Sequence, residues 1–134
     1  MKLKSKIAAL TVAVLLICGS AYAQNTVKVG VVGPRTGPAA ATGAAFDEGI
    51  KLAVEYVNSK GGVMGKKLEV VFEDTAGAPD KAASGFERLV TRDKVVMVLG
   101  ESHSSSALAE VEVANRLKIP FVVVEAWADE ITAK

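Results

Sequence analysis

The sequence predicts an α/β protein built on a parallel, doubly wound sheet of the Rossmann-like kind. Four short apolar runs rich in β-branched residues alternate with three segments whose apolar residues recur at helical spacing. Apolar runs of this composition are typical of strands that are buried on both faces. Strict alternation with short connections implies parallel strands, right-handed crossovers and helices on both sides of the sheet.

The first strand is predicted over 27–33, and a Gly/Pro-rich loop follows it. Thr42 is the predicted N-cap of the first helix. Three glycines within five residues of the connector 58–68 allow that helix to stop and the chain to re-enter the sheet, since glycine tolerates positive φ. The apolar face of the helix is predicted to comprise Phe46, Ile50, Ala53 or Val54, and Val57.

The rest of the chain repeats this alternation. Pro79 suits the first turn of a second helix, where a missing N–H has no cost. The remaining predicted elements are strands over 68–72, 95–99 and 120–124, a third helix over 102–117, and the start of another helix from Ala128.

The N-terminus has the pattern of a secretory signal peptide. Three lysines precede the apolar run Ile7–Cys18, which is too short to span a bilayer comfortably, and an Ala-Tyr-Ala cleavage site follows. Residues 1–23 are therefore predicted to be removed before Gln24, which gives a periplasmic product. Lipidation at Cys18 is the disfavoured alternative, because Ile17 stands where a small residue is needed.

Composition excludes several classes of protein. Cys18 is the only cysteine, so the exported product has no disulfide and no cysteine metal site. The charge balance of 16 basic against 15 acidic residues becomes slightly acidic when the three leader lysines are lost. The absence of a basic patch argues against nucleic acid as a partner. Beyond the leader, no apolar run approaches the ~20 residues of a membrane helix.

Ligands of open parallel sheets bind outside the carboxyl ends of the strands. The segments predicted to lie there are rich in small or polar residues, and a site assembled from several of them is expected. They are 34–42, 74–78, 100–106 and 125–129.

The serine-rich segment 100–106 opens the third predicted helix. The unpaired N–H groups and positive end of that helix favour an anion, so Ser104 and Ser105 either bind a carboxylate or only cap the helix. Ser104 is disfavoured as a nucleophile, because His103 is its sequence neighbour and no G-x-S-x-G elbow is present. His103 has no companion ligands for a metal. Trp127 is either a core or interface residue or an aromatic wall beside a ligand, and its position just past the fourth strand favours the wall.

No cofactor is expected. Segment 33–38 is not a G-x-G-x-x-G dinucleotide fingerprint. Segment 61–67 has the wrong spacing for a phosphate loop and leads into a strand rather than a helix. Glu73 and Asp74 do not make a receiver-type phosphoacceptor, since the first strand ends without an acid.

Several segments, in order, resemble the periplasmic branched-chain amino-acid-binding protein family, whose members are the substrate-binding proteins of ABC transporters. The connector matches the pattern N-x-x-G-G-[IV]-x-G-x-x-L. Segment 100–106 is similar to the family's Gly-x-x-[Ser/Cys]-Ser-Ser-[Ser/Thr] turn, with His103 at the Ser/Cys position. The other segments that carry the resemblance are Gly33–Gly43, Glu73–Ala82 and Ile119–Ala126.

This resemblance implies a non-enzymatic protein that binds an amino acid or a related small carboxylate or amide and delivers it to an ABC permease. Ser104 or Ser105 would hold the ligand carboxylate, and the backbone of Ala126 would accept from an α-ammonium. Trp127 stands where many members have Thr, and Glu125 is a candidate substitute acceptor. Thr42 stands where an aromatic residue often covers the ligand.

The resemblance also implies the partial first lobe of a type I periplasmic binding protein over residues 24–134, because the family has two lobes joined by a hinge. Such a portion, expressed alone, is expected to aggregate or oligomerise. Two other functions stay open: a ligand-sensing receptor domain of the same fold, and an exported α/β hydrolase that uses Ser104.

Overall fold

A computed structural model describes residues 26–133 and shows one four-stranded parallel sheet with the order β2-β1-β3-β4. Helices connect successive strands, as the alternating pattern predicts. The elements are β1 (Thr26–Gly33), α1 (Ala40–Ser59), β2 (Lys67–Asp74), α2 (Pro79–Thr91), β3 (Val98–Leu99), α3 (Ser104–Leu117), β4 (Phe121–Val122) and a 3₁₀ turn (Asp129–Ile131). The prediction of a parallel α/β sheet is confirmed.

The main core lies between the sheet and the helices α2 and α3. Phe86 and Leu89 of α2 and Val98 of β3 are fully buried there. Phe86 meets Phe121 edge to face, with ring centroids 5.2 Å apart, a favoured aromatic arrangement. Pro79 occupies the first turn of α2 as predicted. This side of the sheet is the tightly packed half of the fold.

Helix α1 covers the opposite face more loosely. Ile50, Val54 and Val57 of its predicted apolar face line an open groove of about 410 Å³ against the strands. We call this space the α1 groove; it is also lined by Ala53, Val63 and residues of the strands and the β3 approach, namely Val27, Val29, Leu68, Val70, Val96, Met97 and Leu99.

The connector between α1 and β2 folds as its glycines predict. Gly62 has φ +77°, and a Cβ on it would lie 1.9 Å from the Lys66 carbonyl oxygen, so only glycine fits. The Asn58 side chain bridges the turn, because its oxygen accepts the Leu68 N–H at 2.7 Å and its amide donates to the Leu68 carbonyl at 2.9 Å. Asn58 therefore ties the end of α1 to the start of β2.

Thr42 is not the N-cap of α1, contrary to prediction. The helix begins at Ala40, its N-cap is Ala39, and no side chain caps it. The loop that precedes the helix already forms a turn, in which the Ala40 N–H donates to the Gly37 carbonyl at 3.2 Å. Thr42 therefore lies inside the first helical turn.

Other boundaries also differ from the predicted ones. Regular β3 and β4 contain two residues each, although flanking backbone bonds such as Val96 N–H to Lys28 O (2.9 Å) extend the pairing. Helix α3 begins at Ser104 rather than at residue 102, because the preceding backbone is extended. A 3₁₀ turn stands where another helix was predicted from Ala128.

None of the helices within residues 26–133 is long and apolar enough to cross a membrane. The predicted signal peptide, residues 1–23, lies outside the described residues.

Candidate functional site

The four strands bring their carboxyl ends to one edge of the sheet. Gly33 pairs with Asp74, and Leu99 pairs with both Val31 and Val122. The loops after the strands therefore meet at this edge, where ligands of parallel sheets bind. We call it the carboxyl edge.

The N-terminus of α3 opens onto this edge, and no side chain in the described part of the chain caps it. Ser104 and Ser105 occupy its first two positions, and Ser105 is exposed. The Ser104 hydroxyl oxygen accepts the Trp127 backbone N–H at 3.2 Å. Because Ser104 accepts this bond, its own proton is available to a ligand oxygen. The first N–H groups of the helix add donors and a partial positive charge, so the geometry suits a carboxylate.

The segment after β4 lies beside these serines. The Trp127 side chain is 86% exposed, so it is not a core residue. Ala126 packs against the cluster formed by Ala107, Val111 and Ile131. Glu125 is exposed, and its backbone N–H donates to the Glu101 carbonyl oxygen, in the loop before α3, at 3.4 Å. The Trp127–Ser104 bond thus brings two of the predicted site residues together.

Thr42 does not join this group through hydrogen bonds. Its backbone N–H donates to Ala39 at 3.0 Å, and no hydrogen bond within residues 26–133 links it to either serine. It lies at the carboxyl edge on the β1 side, in the first turn of α1.

Glu101 organises the loop before α3, and no role was predicted for it. Its Oε1 accepts the backbone N–H groups of Ser102 (2.8 Å) and His103 (3.2 Å). Its Oε2 accepts the Thr75 hydroxyl at 2.7 Å. Both Glu101 and Thr75 are fully buried. Glu101 therefore links the β2 and β3 loops. The sequence signal that could have predicted this role is an acidic residue between a strand end and a serine cluster.

Asp74 performs a similar function on the other side of the edge. It accepts the N–H groups of Arg35 (2.7 Å) and Ala76 (2.9 Å) and both the N–H and hydroxyl of Thr36 (3.2 and 2.6 Å). Burial raises the pKa of Asp74, but these hydrogen bonds, first the Thr36 hydroxyl, outweigh it and lower the pKa to about 2. Asp74 therefore fixes the β1 loop as an ionised carboxylate.

Glu110 lies deeper, on α3. It is fully buried, and neither of its carboxyl oxygens has a hydrogen-bond partner among residues 26–133; the same holds for the Ser106 hydroxyl. Burial, and secondarily the charge of Glu101, raise the pKa of Glu110 to about 9. Glu110 is therefore protonated and neutral at pH 7.

The His103 ring is not placed as a base for Ser104. His103 Nδ1 faces Ser102 Oγ at 3.2 Å and Glu101 Oε1 at 3.4 Å, so the imidazole contacts those groups rather than Ser104. Within residues 26–133 no group of three or more His, Cys, Asp or Glu side chains could hold a metal ion.

A parallel α/β lobe with an uncapped, serine-rich helix end at its carboxyl edge has the architecture of a small-molecule binding domain. The sequence matches the family model described as periplasmic binding protein over residues 26–134. The chain therefore belongs to this family of substrate-binding proteins, whose members bind small molecules and work with ABC transporters.

Curated relatives agree with this assignment. The chain is 36% identical over 124 residues to Leu/Ile/Val-binding protein homolog 7 of Brucella suis, covering 92% of this chain and 31% of the relative. It is 33% identical over 126 residues to an amino acid binding protein of Pseudomonas aeruginosa, covering 93% of this chain and 34% of the relative. The chain thus spans well under half the length of these relatives.

Solved structures show the same fold. The branched-chain amino acid transporter substrate-binding protein LivJ of Streptococcus pneumoniae, in complex with isoleucine, matches with a TM-score of 0.77 and 36% identity. The match covers 81% of this chain and 31% of that one. A solute-binding protein of Rhodopseudomonas palustris, in complex with 3,4-dihydroxybenzoic acid, matches with a TM-score of 0.73 and 37% identity, covering 81% and 30%.

Proposed function

We propose that this chain belongs to the extracytoplasmic solute-binding component of an ABC importer, and that its ligand is an amino acid or a related small carboxylate or amide. The observation that carries the proposal is the uncapped N-terminus of α3, which presents Ser104 and Ser105 at the carboxyl edge. The matched structures with isoleucine and with 3,4-dihydroxybenzoic acid support a carboxylate-bearing ligand.

Each predicted site residue has a role in this proposal. Ser104 and Ser105 hold the ligand carboxylate through hydroxyl and backbone N–H groups. The Ala126 carbonyl accepts from a ligand ammonium, and Glu125 offers a second acceptor beside it. Trp127 supplies an apolar wall, which its exposed position beside Ser104 supports.

Thr42 borders the ligand from the β1 side, at the start of α1. Since its side chain is small, a ligand in this cleft has room for a bulky group on that side.

The protein is not an enzyme in this proposal, and it needs no cofactor or metal. Residues 1–23 act as the signal peptide that directs it to the periplasm, and residues 24–134 form the N-terminal part of the first ligand-binding lobe. The partner is an ABC permease in the membrane. The match of residues 26–134 to the family model supports this assignment.

Calorimetric titration of the protein, in the full length that its gene encodes, tests the proposal. L-isoleucine, L-leucine and 4-hydroxybenzoate are the probes. Ser104→Ala and Ser105→Ala should each lower the affinity for the probe that binds by about tenfold, because a hydrogen bond to a charged group is worth roughly 1.5–3 kcal/mol.

Ser84→Ala is the matched control, because Ser84 is an exposed serine of α2 that bonds only within its own helix, to the Lys81 carbonyl at 3.1 Å. It should leave affinity unchanged. Unchanged binding in both site variants would show that the α3 N-terminus is only a helix end.

A further inference from the structure

A closed chain of contacts holds the His103 ring at the carboxyl edge. The Gly77 N–H donates to the Thr75 hydroxyl oxygen at 3.2 Å, and that hydroxyl donates to Glu101 Oε2 at 2.7 Å. Glu101 Oε1 lies 3.4 Å from His103 Nδ1. The imidazole in turn packs over Gly77, so the contacts return to the residue where they began.

Gly77 makes room for this ring. A Cβ there would lie 3.3 Å from both Cε1 and Nε2 of His103, which is tighter than ordinary packing, and Gly77 has φ +73°. The Nε2 edge of the ring therefore rests on the β2 loop, while the Nδ1 edge faces Glu101. The contacts with Glu101 and Gly77 set the orientation of the imidazole before any ligand arrives, and the side chain stays 39% exposed.

The contacts also assign the ring proton. Glu101 Oε1 already accepts two backbone N–H groups, so it meets Nδ1 as an acceptor, and Nδ1 carries the hydrogen. In the neutral imidazole, Nε2 is then a hydrogen-bond acceptor.

Nε2 has no hydrogen-bond partner among the described residues. Nε2 is not a fully buried atom, and the His103 side chain is 39% exposed. An oriented acceptor therefore lies at the carboxyl edge, on the residue that precedes Ser104.

We propose that His103 is a specificity-determining residue of the ligand site, and that its Nε2 accepts a hydrogen bond from a donor group of the bound carboxylate. The inference rests on the proposed function, since the serines must hold the carboxylate. It restricts the ligand to carboxylates that also carry a donor, either an ammonium or a hydroxyl group. Trp127 cannot replace this acceptor, because an indole side chain only donates.

Matched ligand pairs test this inference in the full-length protein. L-leucine and isocaproate share a carbon skeleton and differ in the ammonium; 4-hydroxybenzoate and benzoate differ in the hydroxyl. Wild-type protein should bind the donor-bearing member of one pair more tightly than its partner. Which pair shows this preference identifies the donor as ammonium or hydroxyl.

Two substitutions then separate the two ring nitrogens. His103→Asn keeps a donor near the position of Nδ1, facing Glu101, but lacks Nε2, and it should weaken only the donor-bearing ligand, about tenfold. His103→Gln places its amide near the position of Nε2 and should retain part of the preference. Ser102→Ala, which removes the other neighbour of Nδ1, should bind both ligands as wild type does.

The outcomes separate the inference from the proposed function. An equal loss for both members of a pair in His103→Asn, with an unchanged thermal unfolding midpoint, would make the ring a structural bridge and overturn the inference alone. Wild-type protein that binds none of the four carboxylates overturns the proposed function, and the inference with it.

Discussion

The two faces of the sheet differ in how they are held. On the α2–α3 side, Phe86 and Leu89 are fully buried, and a buried hydrogen bond joins the β2 and β3 loops at the carboxyl edge. On the α1 side, the strands and helix leave the open α1 groove of about 410 Å³. Tyr56 and Leu52 of α1 are largely exposed. The difference teaches that the helix carrying Ser104 and Ser105 belongs to the packed face, whereas the helix carrying Thr42 belongs to the open one.

The largest effect expected from this contrast is on stability. Phe86→Ala should lower the free energy of unfolding by about 3–5 kcal/mol, because it opens a cavity in a fully packed core. Ile50→Ala, in the α1 groove, should cost roughly 1–2 kcal/mol, since its surroundings are open. Urea denaturation of the full-length protein measures both. Equal costs would mean that other parts of the protein fill the groove, and the contrast would then be absent from the full-length protein.

The next effect concerns Glu110, which makes the packed side sensitive to pH. Its pKa is raised from 4.5 to about 9, so the folded state holds a proton that the unfolded state releases. The associated stability is fully present below pH 4.5 and is lost as pH rises towards 9, at up to roughly 1.4 kcal/mol per pH unit. The free energy of unfolding should therefore be about 2–3 kcal/mol lower at pH 8 than at pH 6.

Glu110→Gln serves as the variant for that experiment, because glutamine is nearly isosteric and does not titrate. The difference between pH 6 and pH 8 should largely disappear in it. Glu101, on the loop before α3, is the charged neighbour whose influence on Glu110 the structure identifies. If the pH dependence of the wild-type protein persists in Glu110→Gln, another titratable group causes it.

Asp74 gives a smaller effect of opposite sign. Its pKa is lowered from 3.8 to about 2, so its contribution to stability is present above pH 3.8 and is lost as pH falls towards 2. Asp74→Asn should cost about 2 kcal/mol at pH 7, because the charged acceptor of four hydrogen bonds is lost. The cost should shrink in acid, which denaturation at pH 7 and pH 3 measures. A constant cost would show that shape rather than charge fixes the β1 loop.

The sequence predicts the strands and helices because their signals are local. Pro79 at the start of α2 and the glycines after Asn58 act through their own backbone, so their predictions are confirmed. The Thr42 cap failed because a neighbouring turn satisfies the first N–H groups of α1. A weak local preference loses to such tertiary or turn geometry.

The site was only partly predictable for the same reason. Ser104 and Trp127 were named from their places after strands, and a hydrogen bond joins them. The hydrogen bond between Thr75 and Glu101 joins residues 26 positions apart in the sequence, and no sequence motif or periodicity predicts it. Burial also decides that Glu110 is neutral, and burial of a charged residue type runs against its usual pattern.

The smallest expected effect on stability is at Trp127, where the contrast between packing and binding is sharpest. The side chain is 86% exposed, so Trp127→Ala should change the free energy of unfolding by less than about 0.5 kcal/mol. If the indole packs on the ligand, the same variant should lower the affinity for 4-hydroxybenzoate or L-leucine, whichever binds, several-fold. An aromatic contact is worth about 0.5–1.5 kcal/mol. Trp127→Phe should keep most of that affinity, since it retains a ring beside Ser104. Calorimetric titration and thermal unfolding of the three proteins decide the matter. A loss of stability without a loss of affinity would place the indole in a contact with the rest of the protein, and Trp127 would then belong to the packed half of the molecule rather than to its site.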